Sequence, residues 1–300
     1  MGVNLGIGDD AALLAPPAHH ELVISTDTLI AGRHFPLETD PYSIGWKAVA
    51  VNLSDLAAMG ATPHSILLAL TLPKADSNFL AQLAEGIFAL CDEAQVALIG
   101  GDTTRGDTLS LTVTALGWIP TGQAVLRSGA QVGDLIVVSN TLGDAAYALQ
   151  HLNDTELSPT LKSRLDRPMP RLALGQALRG HASAMLDISD GLAQDLGHIL
   201  TASHVAGRLD VEKLPFSSTL AALDLDQRST LALSGGDDYE LCFTISPQKF
   251  ANLQHSWHSN RLSLTIIGEI VQLTPDTERL TILCNQQPFY LKSKGFKHFD

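Results

Sequence analysis

Residues 24–27 read ISTD, and this short stretch decides how the rest of the chain is interpreted. The apolar residues 22–24 run into two hydroxyl side chains and the carboxylate of Asp27. The same order returns in LIGGDTT at 98–104 and in MLDISDG at 185–191, where apolar residues run into Asp102 and Asp187. A carboxylate at the end of a buried strand is costly unless another group neutralises it. We therefore predict that three strands end at these carboxylates and that positive charge binds near them.

Other carboxylates extend this pattern, in the turn GIGDD at 6–10 and in the apolar helix KAVAVNLSDLAAM at 47–59. The candidate metal ligands from the residues alone are Asp10, Asp27, Asp55, Asp102, Asp187 and Asp190. Magnesium prefers carboxylate oxygens and usually binds through one or two of them plus substrate phosphates. The set therefore predicts several magnesium ions in one cleft and a phosphoryl-transfer enzyme.

Each carboxylate also has a purely structural interpretation. An Asp between a strand and a loop is often an Asx-turn or the N-cap of a helix. Asp190, before Gly191, suits the N-cap of a helix at 191–203, and Asp102 suits the end of a strand. Asp55 lies mid-helix, so its structural alternative is a buried hydrogen bond to a neighbouring loop. Both interpretations stay open at this point.

Composition narrows the class of protein. The chain has 300 residues, which suggests two domains or one large α/β unit. Its net charge of −13 argues against direct nucleic-acid binding. Three scattered cysteines fit a reducing cytoplasm, the first residues lack the features of a signal peptide, and no apolar run is long enough to span a bilayer. We expect a cytoplasmic protein with no nucleic-acid or membrane partner.

Local signals place the main elements. Asp40-Pro41 predicts a helix that ends near Met59, and Asp76 predicts the cap of a helix from about residue 77 to residue 94. Residues 108–119 alternate as in a half-buried antiparallel strand. The pattern changes after this strand, and we predict an N-terminal mixed-sheet domain at 1–122 and a C-terminal α+β domain at 123–300.

The usual phosphate-binding signatures are missing from the sequence. It has no G-x-x-x-x-G-K-[ST] loop and no H-R-D or D-F-G set. The pairs Gly100-Gly101 and Gly235-Gly236 allow close backbone approach to a ligand, or form ordinary turns. Arg127 and His34 suit phosphate contacts or are solvated surface groups.

Seven stretches together resemble the thiamine-monophosphate kinase family, within the group that is similar to aminoimidazole ribonucleotide synthetase. They are GIGDDAALL, ISTDTLIAGRHF, KAVAVNLSDLAAMGATP, LIGGDTTRG, LRSGAQVGD, LDISDGLAQDLGHI and LSGGDDYELCFT, and they cover the chain nearly end to end. The resemblance implies a two-domain α/β fold and a homodimer formed through the N-terminal domain. It also implies ATP as co-substrate with several magnesium ions, and thiamine monophosphate as the phosphate acceptor.

The resemblance also implies roles for single residues. It assigns magnesium to Asp10, Ser25, Thr26, Asp27, Asp55, Asp102, Asp187 and Asp190, of which Asp27, Asp55 and Asp190 are expected to matter most. It assigns ATP contacts to Gly101, Asp102, Arg127 and Ser189. It assigns thiamine monophosphate to His34, Asp237 and Phe296, where the family commonly has Glu in place of Asp237 and Tyr in place of Phe296. No residue is expected to act as a general base.

Two rival functions remain. One is a sister ATP-dependent enzyme of the same fold, such as the ring-closing synthetase. A selenophosphate-making enzyme is disfavoured because the first cysteine, Cys91, lies within a predicted helix rather than near the N-terminus. The other rival is a nucleotide-binding protein without catalysis.

Overall fold

The computed structural model describes residues 2–257, 262–276, 278–291 and 295. These residues divide into two compact units. The first contains the chain up to Ala124 together with the segment Asp166–Gln176, and the second contains Val125–Leu165 and the residues from Ala177 onward. The segment Asp166–Gln176 packs with the first unit although it follows part of the second, and no local sequence signal indicates this.

Strands and helices alternate irregularly along the chain. The strands are Val3–Leu5 (β1), Leu13–Leu14 (β2), His20–Ile30 (β3), Thr62–Leu72 (β4), Ala97–Arg105 (β5), Ser110–Pro120 (β6), Leu135–Ser139 (β7), Ala184–Asp187 (β8), Ala206–Asp210 (β9), Leu241–Ile245 (β10), Leu264–Val271 (β11), Leu280–Cys284 (β12) and Gln287–Pro288 (β13). The α-helices are Pro41–Ala58 (α1), Ser77–Ala94 (α2), Asp144–Gln150 (α3), Pro159–Asp166 (α4), Leu172–Ala177 (α5), Leu192–Ala202 (α6), Ser218–Ala221 (α7), Leu225–Ser234 (α8) and Pro247–Ser256 (α9).

The first unit is built on a four-stranded mixed sheet in the order β3-β6-β4-β5. β6 runs antiparallel to both of its neighbours, and β4 runs parallel to β5. Helix α1 packs on one face of this sheet, where Leu111, Val113 and Ala115 of β6 are buried. The opposite face carries exposed apolar and threonine side chains, so only one face of the sheet is covered within the unit.

Helix α1 begins and ends where local chemistry predicts. The Asp40 carboxylate accepts a hydrogen bond from the Ser43 N–H at 2.9 Å, and Pro41 occupies the first helical position. Helix α2 packs closely against α1 because glycine stands at the contact. A Cβ atom on Gly86 would lie 1.9 Å from the Tyr42 carbonyl oxygen, so no larger residue fits there.

The second unit is built on a seven-stranded sheet in the order β13-β12-β9-β11-β7-β10-β8. Its pairings are antiparallel except that of β12 with β9. Helix α6 contributes Leu192, Leu196, Ile199 and Leu200 to the apolar core of this unit. Because β7 and β8 both run antiparallel to β10, the ends of β7 and β8 lie at the same sheet edge as the start of β10.

Two of the predicted strand ends are wrong. β3 continues through Asp27 to Ile30, and β5 continues through Asp102 to Arg105. β3 pairs with β6 over eleven residues, and the partner strand satisfies the backbone N–H and C=O groups of β3 whatever its side chains are. The strand therefore continues beyond its polar side chains. Only Asp187 ends its strand as predicted. In the part of the chain that the structure describes, no helix is long and apolar enough to cross a bilayer.

Candidate active site

In the first unit, a cluster of polar side chains lies between β3 and α1. The Ser25 hydroxyl donates a hydrogen bond to the Asp55 carboxylate, and the Asp27 N–H donates to the Asn52 side-chain oxygen at 2.9 Å. Asn52 is fully buried and is itself held by the Ala48 carbonyl oxygen, which accepts from its Nδ2 at 3.0 Å. Ser25, Asp27 and Asp55 are only half-buried. The structure therefore brings these three predicted ligands together and leaves them partly accessible.

The side chains of Thr26 and Asp102 belong to the other face of the same sheet. The Thr26 hydroxyl contacts the Thr114 hydroxyl at 2.7 Å on the exposed face. Asp102 pairs with Ala69, which pairs in turn with Thr112, and paired residues share a face. The Asp102 carboxylate accepts from the Thr103 N–H at 2.9 Å. Within one copy of the first unit, the register thus places these two side chains opposite Ser25 and Asp27.

Asp10 and His34 lie in loops beside the sheet. Asp10 is exposed, and its N–H donates to the Asp9 carboxylate at 2.8 Å. His34 is half-buried, and its Nδ1 accepts from the Ile30 N–H at 3.0 Å. This bond holds the imidazole at the end of β3. The other ring nitrogen, Nε2, lies on the side of the ring away from the Ile30 N–H.

Gly101 is required by the packing of β5 against β4. Its φ is +148°, and a Cβ atom there would lie 1.9 Å from the Leu68 carbonyl oxygen. Glycine at this position is therefore explained by backbone geometry, and its predicted contact with ATP stays a prediction.

In the second unit, a carboxylate that sequence reasoning missed holds the segment 187–191, which is the last residue of β8 and the loop after it. The Asp195 carboxylate accepts from the backbone N–H groups of Ser189, Asp190 and Gly191, at 3.0 to 3.1 Å. Burial raises the pKa of Asp195 to about 6, although these three N–H groups oppose the shift. The position of Asp195 in the first turn of α6 is the signal that could have found it.

The alternative role of Asp190 as a helix cap is wrong. The N-cap of α6 is Gly191, which has no side-chain capping bond, and the Asp195 carboxylate accepts from the N–H groups of residues 189–191, which precede the helix. The half-buried Asp190 carboxylate accepts from the Gln194 side-chain amide at 3.1 Å. Asp187 is buried at the end of β8.

The loop SGGDDYE lies directly beside the loop 187–191. The Asp237 N–H donates to the Ser189 carbonyl oxygen at 2.9 Å, and the Tyr239 N–H donates to the Ile188 carbonyl oxygen at 2.8 Å. The Tyr239 hydroxyl also donates to the Asp237 carboxylate at 3.2 Å. The structure therefore brings together Ser189, Asp190 and Asp237, which the resemblance assigned to ATP, magnesium and the acceptor respectively.

A buried charged network lies next to these loops, and the sequence did not indicate it. The Arg164 guanidinium donates to the Glu240 carboxylate at 2.8 Å and to the Thr141 carbonyl oxygen at 3.0 Å. Burial alone would lower the pKa of Arg164, but Glu240, Asp238 and Asp144 raise it. Burial holds the pKa of Asp238 well above its usual range.

The remaining predicted site residues are Arg127 and Phe296. Arg127 is exposed, and its carbonyl oxygen accepts from the Ser203 hydroxyl at 3.3 Å. The same hydroxyl accepts from the N–H groups of Gly129 and Ala130, both at 3.1 Å, so it holds the turn that follows Arg127. Phe296 lies outside the described residues.

The oxygen atoms of the predicted ligands are of the kind that magnesium usually binds. Hydroxyl and carboxylate oxygens are hard ligands, and Ser25, Asp27 and Asp55 are already close to one another. Within the described ranges, no group of three or more His, Cys, Asp or Glu side chains is arranged to hold a metal. Magnesium typically uses one or two carboxylates and completes its shell with phosphate oxygens and waters, so a small set in each unit is compatible with it.

The chain matches one known protein family along most of its length and is similar to single relatives throughout. The AIR synthase related protein family matches with its N-terminal domain at residues 8–119 and with its C-terminal domain at residues 131–276. Thiamine-monophosphate kinase from Escherichia coli K12 is 45% identical over 306 residues, covering 100% of this chain and 93% of that enzyme. The enzyme of that name from Bacillus subtilis 168 is 36% identical over 309 residues, covering 99% of this chain and 94% of that enzyme.

Solved structures agree with these relatives. The crystal structure of thiamine-monophosphate kinase from Stenotrophomonas maltophilia K279a matches with a TM-score of 0.87 and 48% identity, over 94% of this chain and 91% of that one. A structure described as AaThiL complexed with AMPPCP and TMP matches with a TM-score of 0.81 and 29% identity, over 95% of this chain and 89% of that one. The predicted two-domain α/β fold of this group is confirmed.

Proposed function

This chain belongs to the thiamine-monophosphate kinase family, and from that premise we propose that it transfers the γ-phosphate of ATP to thiamine monophosphate, giving thiamine diphosphate and ADP. The observation that carries the proposal is the 45% identity with the Escherichia coli enzyme across the whole chain. The complex of AaThiL with AMPPCP, an ATP analogue, and TMP supports the choice of both substrates.

The chemistry needs positioning more than proton transfer. The second pKa of a phosphomonoester is about 6, so the acceptor is already an anion at neutral pH and needs no general base. One of its oxygens forms a bond to the γ-phosphorus as the bond from that phosphorus to the ADP oxygen breaks. The residues of the site hold the two phosphates in line and exclude competing water, as in other phosphoryl transfers.

Magnesium supplies charge neutralisation between the two phosphates when it is bound. The residues proposed to hold several ions are Asp10, Ser25, Thr26, Asp27, Asp55, Asp102, Asp187 and Asp190. The half-buried group of Ser25, Asp27 and Asp55 supports this assignment in the first unit, and the loop that presents Asp190 supports it in the second.

Substrate contacts are proposed on the same basis. ATP contacts fall to Gly101, Asp102, Arg127 and Ser189, and thiamine monophosphate contacts fall to His34, Asp237 and Phe296. The adjacency of Ser189 and Asp237 supports placing both substrates against the same pair of loops. We assign ATP and magnesium binding and dimerisation mainly to residues 1–122, and completion of the site to residues 123–300.

A homodimer is proposed through the uncovered face of the first sheet. Leu22 and Ile24 of β3 are 43% and 58% exposed on this face, which is opposite to α1. Exposed apolar side chains that share one face of a sheet are typical of an interface. Light scattering on Ile24→Lys should give the mass of a monomer, whereas Leu37→Lys, in a loop outside the sheet, should keep the mass of a dimer. Equal masses for the two variants would contradict this interface.

A cytoplasmic location is also proposed. All three cysteines, Cys91, Cys242 and Cys284, are free thiols, as is usual in a reducing compartment.

Product analysis tests the proposed function. The protein is mixed with ATP, magnesium and thiamine monophosphate, and thiamine diphosphate should appear in step with ADP. A chelator should stop the reaction and added magnesium should restore it. ATP binding without thiamine diphosphate would favour a nucleotide-binding protein without catalysis. ADP formed without thiamine diphosphate would favour a sister ATP-dependent enzyme of the same fold.

A further inference from the structure

A buried polar network joins helix α4 to the loop that carries Asp237. Arg164 of α4 contacts the Glu240 carboxylate and the Thr141 carbonyl oxygen through the same guanidinium nitrogen. The other Glu240 oxygen accepts from the Ser139 hydroxyl at 2.5 Å, and Asn140 donates to the same carboxylate at 3.0 Å. Glu240 is completely buried and is the last residue of the loop, so these bonds fix the end of the loop.

The middle of the loop is fixed by a second carboxylate of the same network. Asp238 is 3% exposed, and both of its oxygens accept from the Gly143 N–H at 3.0 Å. Its neighbours Asp237 and Tyr239 have φ values of +67° and +48°, which side-chain-bearing residues rarely adopt. A backbone of this kind persists only where the surroundings determine it. The Asp238–Gly143 contact therefore helps to hold Asp237 in its unusual conformation.

Arg164 connects these two points of attachment. Its bond to the Thr141 carbonyl oxygen holds the turn that presents the Gly143 N–H, and its Nε lies 3.8 Å from Asp144. The Thr141 hydroxyl in turn donates to the Asp144 carboxylate at 2.6 Å. Asp144, Asp238 and Glu240 are all buried, and the Arg164 guanidinium lies within ion-pair distance of Asp144 and Glu240. Loss of its charge would remove a positive charge that lies beside these buried acidic groups and would therefore destabilise their arrangement.

We propose that Arg164 is a positioning residue for the phosphate acceptor, which acts through Glu240 and Asp238 to fix the Asp237 carboxylate. This role rests on the proposed function, since Asp237 is proposed to contact thiamine monophosphate. Arg164 itself is not placed in contact with either substrate.

The neighbouring loop has a separate support, which makes the effect of Arg164 selective. The backbone of Ser189, Asp190 and Gly191 is held by Asp195, whereas the network around Arg164 holds residues 238–240. A change at Arg164 is therefore expected to disturb the acceptor more than the nucleotide.

The test compares Arg164→Lys with the wild type in steady-state kinetics, in AMPPCP binding with magnesium, and in amide hydrogen exchange. Lysine keeps the charge but lacks the planar guanidinium, which presents Nη2 to Glu240 and Thr141 and at the same time Nε to Asp144. We expect the KM for thiamine monophosphate to rise about tenfold, with kcat and the Kd for AMPPCP within about twofold of the wild type. Exchange should be faster at residues 237–240 and unchanged at 189–191.

A matched control and a second variant keep the test decisive. Arg208→Met removes the arginine of an exposed ion pair with Glu269, and all of these measurements should stay at wild-type values. The double variant Arg164→Gln with Glu240→Gln replaces the ion pair by neutral amides of similar shape, and it should bind thiamine monophosphate better than Arg164→Gln alone. This comparison remains available if a single variant folds poorly.

Several outcomes would overturn the role of Arg164. They are an unchanged KM for thiamine monophosphate in folded Arg164→Lys, a parallel loss of affinity for AMPPCP, or no benefit from the second substitution. Failure of the proposed function is distinguishable, because the wild type would then make no thiamine diphosphate. The exchange measurement would still report in that case whether Arg164 holds residues 237–240.

Discussion

The carboxylates of Asp27 and Asp55 in the first unit differ from those of Asp238 and Glu240 in the second in both burial and partners. Asp27 and Asp55 are half-buried, and their described contacts include a serine hydroxyl and an asparagine side chain. Asp238 and Glu240 are buried, next to a guanidinium and several N–H and O–H donors. The Arg164 guanidinium lies against Glu240 in the buried pair, whereas the half-buried pair is accessible to positive charge that comes with a ligand.

This difference separates two uses of the same residue type. A buried carboxylate that is paired with a cation contributes to the structure, and removing one partner leaves an uncompensated charge in the interior. A half-buried carboxylate remains accessible from solvent and is better suited to a metal ion that also binds substrate phosphates. Substitutions in the two groups should therefore act on different observables, and the following predictions test that separation from the largest effect to the smallest.

Asp55→Asn should reduce turnover by about a thousandfold, because it removes charge at the point where metal and phosphates are proposed to meet. The amide oxygen can still accept from Ser25, so the thermal midpoint should change little. The measurement is kcat under saturating ATP and thiamine monophosphate, together with calorimetry. Asp92→Asn, at an exposed position of α2, is the control and should be fully active. Near-normal turnover in Asp55→Asn would remove the basis for the metal assignment.

Glu240→Ala should lower the free energy of unfolding by about 3–5 kcal/mol, because Arg164 would lose the partner of its buried ion pair. The matched change is Glu269→Ala, which breaks the exposed pair with Arg208 and should cost about 0–1 kcal/mol. Urea unfolding of both variants gives the comparison. Similar costs at the two positions would show that burial does not separate the two pairs.

Asp195→Ala should weaken the affinity for AMPPCP with magnesium by about tenfold, because three backbone N–H groups would lose their acceptor. The loop that presents Ser189 and Asp190 would then be less well oriented. Calorimetric titration measures the change, and His198→Ala, at an exposed position of the same helix, serves as the control. Wild-type affinity in Asp195→Ala would mean that the loop keeps its conformation without this carboxylate.

Much of the candidate site was accessible to sequence reasoning because it depends on residue type and local order. The hydroxyl and carboxylate pattern of residues 25–27 and the mid-helix Asp55 predict metal ligands in one cleft. The structure brings two of these residues, Ser25 and Asp55, into contact. The roles of these residues toward magnesium and substrates stay predictions. Asp195 was missed although its partners are only four to six residues away and its place in the first turn of α6 is a local signal. Arg164 could not be found from a local pattern, because its partner Glu240 is 76 positions away.

Features that rest on local chemistry could be predicted from the order of the residues. They include the Asp40 and Asp76 caps and the helices that follow them, because a cap bonds to N–H groups only two or three residues away. The family of the chain could also be predicted, from short stretches of sequence. The tertiary structure alone decided that β3 and β5 continue past Asp27 and Asp102, and that Arg164 compensates Glu240. In both cases the deciding hydrogen bonds come from partners remote in sequence, and only the folded chain brings those partners together.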